Sequence, residues 1–274
     1  MQNKIIELVK NTDAILITAG AGMGVDSGLP DFRGNEGFWR AYPAIKKLGE
    51  SFEDMANPKW FDTNPQLAWA FYGHRLNLYR ETTPHEGFSM LLDLVKKKND
   101  NYFVFTSNVD GQFQKAGFDK KKIVEVHGSI QHFQCSKNCT QEIWEAPLAN
   151  IDIDMELFNA HTIPKCPNCG AVARPNILMF GDWNWIGTRS DKQEDSYYKW
   201  REEVIDKQEK IVIIEIGAGI AIPTIRNHGE MLAKKYKNAT LIRINPRDDY
   251  LNPYLGYSIK EGGLDGIKKI IINE

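Results

Sequence analysis

An unbroken apolar run, Ala14-Ile15-Leu16-Ile17, feeding directly into a glycine loop, sets the strongest limit on what this chain can fold into. A strand without polar alternation is buried on both faces, the pattern of a parallel sheet covered by helices rather than of a half-solvated hairpin. Gly20, Gly22 and Gly24 follow it and allow a tight turn and a close approach of backbone to a ligand. Exposed amides in such a loop favour an anion, so a phosphate site is the natural reading. The loop departs from the dinucleotide fingerprint, because Val25 stands where the third glycine belongs. Residues 211–216 repeat the arrangement, a run rich in Ile and Val that ends in Gly217-Ala218-Gly219. Further strands are expected at 102–105, 123–126 and 239–244, alternating with helices over 2–11, 67–79, 84–98, 196–209 and 263–273. This alternation predicts an α/β fold, a parallel sheet with helices on both faces.

All four cysteines lie close together, as Cys135-x3-Cys139 and Cys166-x2-Cys169 with residues 140–165 between the pairs. Clustered pairs favour a metal site over a scattered disulfide framework, and four sulfurs suit a closed, tetrahedral, structural zinc. Reduced free cysteines, or a site that has lost its metal, are the alternative. A formal net charge of −2 gives no basic field for nucleic acid, and no apolar run approaches the ~20 residues of a membrane span. The start of the chain carries no signal-peptide core, so the expected location is the cytoplasm.

The continuation of the first loop, Ser27-Gly28-Leu29-Pro30-Asp31-Phe32-Arg33-Gly34, places an acid, an aromatic ring and a guanidinium beside the glycines. Together with Asn108-Val109-Asp110, His127-Gly128, the cysteine pairs, Phe180-Gly181-Asp182, Gly217-Ala218-Gly219 and Asn245, in that order, it resembles the signature of the sirtuin (Sir2) family of NAD-dependent protein deacylases. The resemblance covers almost the whole chain. It departs at three positions: Gly24 replaces a loop serine, Ser107 a glutamine before Asn108, and Gly219 a second serine.

The resemblance implies a Rossmann-like NAD-binding domain (1–35, 81–129 and 176–274) and a small zinc-binding domain (36–80 and 130–175), with NAD and an acyl-lysine protein or peptide in the cleft between them. It implies that Gly20, Ala21, Gly22, Asp31, Phe32, Arg33, Ser107, Asn108, Asp110, Gly217, Ala218, Gly219 and Asn245 surround NAD, and that Cys135, Cys139, Cys166 and Cys169 hold zinc. Within that set Asp110 is expected at the nicotinamide carboxamide, Asn108 near the nicotinamide ribose and Asn245 at the adenosine ribose. His127 is the implied general base: once the acyl oxygen has displaced nicotinamide at the ribose C1', it activates a ribose hydroxyl that attacks the amide carbon. The products are free lysine, nicotinamide and O-acyl-ADP-ribose. Phe180 and Gly181 lie in the segment that pairs with the peptide main chain, with glutamate usual where Asp182 stands. His74, His85, His132, His161 and His228 have no comparable support and read as structural or surface groups.

Tyr72 and Arg75, three apart on the helix expected over 67–79, are similar to the Tyr-x-x-Arg pair of relatives that take malonyl- or succinyl-lysine. A guanidinium fork is the right chemistry for a carboxylate end group; the alternative is an arginine that solvates a helix face or meets a nearby acid. Deacylation is weighed against mono-ADP-ribosyl transfer or NAD hydrolysis, which loss of the usual glutamine and serines would favour, and against a non-catalytic NAD or ADP-ribose sensor. A dehydrogenase fits least, since neither glycine loop completes G-x-G-x-x-G.

Overall fold

The computed structural model describes residues 2–31 and 34–271, with backbone alone for 34–37. Helix α1 (Gln2–Lys10) leads into β1 (Ala14–Ala19), whose six residues are all buried, and then into a 3-10 segment, Ala21–Ser27. A run of short helices follows: α2 (Gly34–Ala41), α3 (Pro43–Leu48), α4 (Phe52–Met55) and α5 (Lys59–Thr63). Next come the long α6 (Pro65–Glu81), α7 (Glu86–Lys96), β2 (Tyr102–Thr106), α8 (Gln112–Lys115) and β3 (Ile123–Glu125). The middle of the chain is β4 (Gly128–Cys135), β5 (Trp144–Glu145), β6 (Ile153–Asp154), β7 (Asn159–Ala160) and β8 (Ala173–Ile177). It ends with α9 (Thr188–Asp206), β9 (Ile211–Ile216), α10 (Thr224–Lys235), β10 (Ala239–Ile244), β11 (Gly256–Ile259) and α11 (Gly263–Ile270).

Six strands form one sheet in the order β11-β10-β9-β1-β2-β3, and every pairing in it is parallel, as the apolar runs predict. One face is covered by α1, α7, α8 and α11 through Ile5, Val9, Phe88, Leu91, Phe113 and Ile267; the other by α9 and α10 through Tyr197, Val204, Ile225 and Leu232. The expectation of a doubly covered parallel sheet holds. A third apolar cluster joins Phe38, Phe61, Trp69 and Tyr72 to Ile130, Phe133 and Ala173, so the short helices and α6 pack on the antiparallel sheet β5-β4-β8. Leu29, Val109 and Met179 belong to this cluster, although sequence reading assigned them to the sheet domain.

One local departure has a clear cause. Helix α9 begins at Thr188 rather than near 196, because its first turn is captured by β3: Ser190 Oγ donates to the Glu125 carbonyl at 2.8 Å and Arg189 pairs with the Glu125 carboxylate. Helix α11 stops at Ile270. Glu215, the polar residue inside the apolar β9, is buried against Arg243 of β10, a fully internal ion pair that periodicity cannot anticipate.

Candidate functional site

The two glycine loops leave β1 and β9, neighbours at the centre of the sheet, where the strand order runs outward in opposite directions. A doubly wound sheet opens its ligand crevice at the carboxyl ends of the strands at such a point. The loops also touch each other. Gly22 N donates to Gly217 O at 3.1 Å and Gly20 N to Ile216 O at 3.0 Å. A Cβ on Gly22 would stand 2.6 Å from Gly217 Cα, one on Gly20 2.8 Å from Ala218 Cα, and Gly217 itself has φ +63°. The glycines therefore let one loop meet the other, a duty beyond the tight turn and ligand approach expected from the sequence. Ala21 is exposed on the crest of the first loop, Gly219 is half-buried and Ala218 buried.

Asn245 sits where β10 ends, yet its amide is spent inside the chain. Its Nδ2 donates to Ala218 O at 2.8 Å and its Oδ1 accepts from the main chain of Arg247 and Asp248, so it ties this turn to the second loop. Two residues on, Arg247 reaches across to Asp31 of the first loop at 2.8 Å. Phe32 and Arg33 lie outside the described residues.

At the end of β2, Ser107 N donates to Ala19 O at 3.1 Å, and Asn108 Nδ2 donates to Gly20 O at 3.0 Å, holding this turn against the first glycine loop. Asp110 accepts from Gln112 N at 2.9 Å; burial pushes its carboxyl up to about 6 against that hydrogen bond, and the negative Glu125 pushes the same way. His127 is half-buried just beyond β3. Burial lowers its pKa below the ordinary imidazole value, opposed by the hydrogen bond between its ring and the Ser107 main chain. With its pKa lowered, the ring is mainly neutral at pH 7 and able to accept a proton. The remaining histidines have structural duties where the contacts define them: His85 caps α7, His74 meets Tyr42, and His228 stacks on Phe105.

Packed with the third apolar cluster, Arg75 is only 6% exposed and lies within 5.2–5.9 Å of the ring centroids of Phe52, Phe71, Tyr72 and Tyr79. That burial rules out the solvated-face alternative. Its Nε donates to Tyr79 OH at 3.0 Å, while the buried Tyr72 OH has no hydrogen-bond partner among the described residues. Phe180 packs its ring against Phe52 and donates its N–H to Ala56 O at 2.9 Å. The turn at Gly181 (φ +66°) is held from within by Asp182, whose carboxylate pairs with Arg174, both side chains almost fully buried, and accepts from Met179 N and Asn184 N.

The four cysteine sulfurs lie within 4.8 Å of one another, with Cys135–Cys169 at 3.7 Å and Cys139–Cys166 at 3.6 Å. Zinc with sulfur at ~2.3 Å requires tetrahedron edges of about 3.8 Å, whereas a disulfide requires about 2.05 Å. The donor set therefore fits zinc and closes it off from substrate. Lys137 N and Asn168 Nδ2 donate to Cys135 and Cys139 sulfurs, which offsets thiolate charge. The purified protein is expected to carry one equivalent of zinc by elemental analysis, and stripping it with a chelator should lower the melting temperature by ~5 °C or more. An unchanged melting curve after verified metal loss would show that the thiols alone hold the module.

Sequence reading passed over Glu125 and Arg189. The available signal was an acid inside the apolar strand Ile123-Val124-Glu125-Val126.

The Sir2 family matches residues 20–185. A protein from Aquifex aeolicus described as an NAD-dependent protein deacylase is 28% identical over 264 residues, 96% of this chain and 95% of its own length. One of the same description from Leptospira interrogans is 35% identical over 164 residues, 60% of this chain and 58% of the relative. Among solved structures, a Sir2 homologue–NAD complex superimposes over 98% of this chain and 92% of its own with TM-score 0.73 at 21% identity. A Sir2 protein bound to acetylated peptide does so over 98% and 97% with TM-score 0.69 at 17% identity.

Proposed function

The chain belongs to the Sir2 family, and on that premise we propose that it is an NAD-dependent protein-lysine deacylase acting on acyl-lysine proteins or peptides. The observation that carries the reading is His127, its pKa lowered by burial, just past the end of β3 on the same edge of the sheet as the first glycine loop, with Asn108 and Asp110 on the adjoining end of β2. NAD supplies an electrophilic ribose carbon to the acyl oxygen as nicotinamide leaves. His127 accepts the proton of a ribose hydroxyl, Asn108 orients the sugar, and Asp110 accepts from the carboxamide. The Asp31–Arg247 pair links the first loop to the turn after β10 and steadies it. Four thiols kept for a metal suit the reducing cytoplasm, which is where we place the protein. No helix among the described residues is long and apolar enough to cross a membrane.

We assign the acyl end to Tyr72 and Arg75. A buried guanidinium in an aromatic box, beside a hydroxyl with no partner among the described residues, supports an acyl group that ends in a carboxylate, such as succinyl. Arg75→Met is expected to cut kcat/KM for succinyl-lysine on the order of 100-fold while changing acetyl-lysine by less than ~5-fold, because an unpaired buried charge costs several kcal/mol. Equal losses on the two peptides would make Arg75 structural.

The defining experiment is mass spectrometry of NAD with acetyl-, succinyl- and long-chain-acyl-lysine peptides. Nicotinamide, free lysine and O-acyl-ADP-ribose in equal amounts support the deacylase. Nicotinamide without deacylation would replace it with ADP-ribosyl transfer or NAD hydrolysis, and no turnover with a sensor.

A further inference from the structure

β3 is an edge strand of three residues, paired only to β2, and it must deliver His127 two residues past its end. So short a ladder holds little by itself. Glu125, its last residue, is 1% exposed and is gripped almost atom by atom by the first two turns of α9. Its N–H donates to Gln193 Oε1 at 3.1 Å and its C=O accepts from Ser190 Oγ at 2.8 Å. Its Oε2 receives the Arg189 guanidinium and, at 3.4 Å, Gln193 Nε2. The other carboxylate oxygen, Oε1, is buried without a hydrogen-bond partner among the described residues, and so is Arg189 NH1. An acid half-satisfied in the interior is costly, and packing alone would be better served by an apolar residue there. α9 follows directly on the segment 178–187, whose Leu178 N–H donates to His127 O at 3.0 Å, so the residue before the histidine's turn and the histidine itself are both held from one stretch of chain.

We propose that Glu125, through Arg189, is the positioning residue that aims His127. The proposal rests on the deacylase reading for its kinetic form. Nicotinamide displacement precedes the step that needs the base, whereas acyl transfer requires the ring at hydrogen-bond distance from a ribose hydroxyl. Loss of the aim therefore separates the two steps, and a displacement near 1 Å costs on the order of 100-fold.

Glu125→Gln and Arg189→Met, with Arg189→Lys as the conservative comparison, are to be followed within a single turnover, with enzyme in excess of NAD, for nicotinamide release and lysine release in the same reaction. NAD affinity is measured by calorimetry, and the His127 ring nitrogens by heteronuclear NMR. Glu125→Gln and Arg189→Met are expected to leave nicotinamide release and NAD affinity within about threefold, lower lysine release at least tenfold, and move the His127 ring signals. Arg189→Lys is expected to recover part of each. Parallel loss of both products, or unmoved ring signals in a folded variant, would overturn the positioning role. Should the wild type fail to deacylate, that result sinks the deacylase reading, while the ring signals still decide whether Glu125 and Arg189 hold His127.

Discussion

Replacing His127 with alanine is expected to abolish deacylation, a loss of at least ~10³-fold in kcat, while NAD affinity stays within a few-fold. The separation follows from the site: the glycine loops, Asn108 and the Asp31–Arg247 pair are held by contacts of their own, so removing the imidazole breaks none of these. The wild-type pH profile carries the same information. Because burial lowers the His127 pKa, the neutral base predominates at pH 7, and kcat/KM should fall on the acid side with a midpoint below the ordinary imidazole value. Asp110, held up to about 6, adds to that acidic limb as it gains a proton. A limb that survives in a variant lacking Asp110 belongs to His127. Near-normal turnover of His127→Ala would remove the histidine from its role.

The second large effect concerns stability. Asp182→Ala strands the Arg174 guanidinium, 2% exposed, and releases the Met179 and Asn184 amides. Breaking one side of a buried pair costs ~3–5 kcal/mol, readable as a shift in the chemical denaturation midpoint. Arg174→Met combined with Asp182→Leu should recover much of that loss, since two apolar groups need no counter-charge. A single variant less than ~1 kcal/mol below wild type would mean that water reaches the Arg174 side chain.

What was legible in the sequence was whatever is written locally. Ile15 to Ile17 and Ile211 to Ile216 announce parallel strands because burial on both faces leaves no polar alternation. The cysteine spacing announces a sulfur cluster because four thiols within one excursion of chain have few other uses. What stayed hidden depends on partners far apart in the chain. The capture of α9 by Glu125 spans 64 residues, so the helix start lies eight residues before its amphipathic pattern begins. The amide of Asn245 could be placed near a ribose by position, but that it is consumed by Ala218 O follows only from the turn made after β10. Arg75 is another case: a short motif cannot tell a solvated cation from one boxed by four rings, and burial decides it.

The contact between the two glycine loops also limits how this chain can change. A methyl group added to Gly20, Gly22 or Gly217 would collide with the backbone of the opposite loop. Neither loop can then be exchanged alone: a loop transplanted from a relative brings the shape of its absent opposite, and the mismatch falls on backbone, which has no rotamer to yield. In a library that varies residues 20–24 and 217–219 separately, survivors should be almost confined to the parental residues at the facing positions. Varying residue types jointly cannot relieve a clash with backbone, so only both loops exchanged together should survive, and the two would be inherited as one cassette.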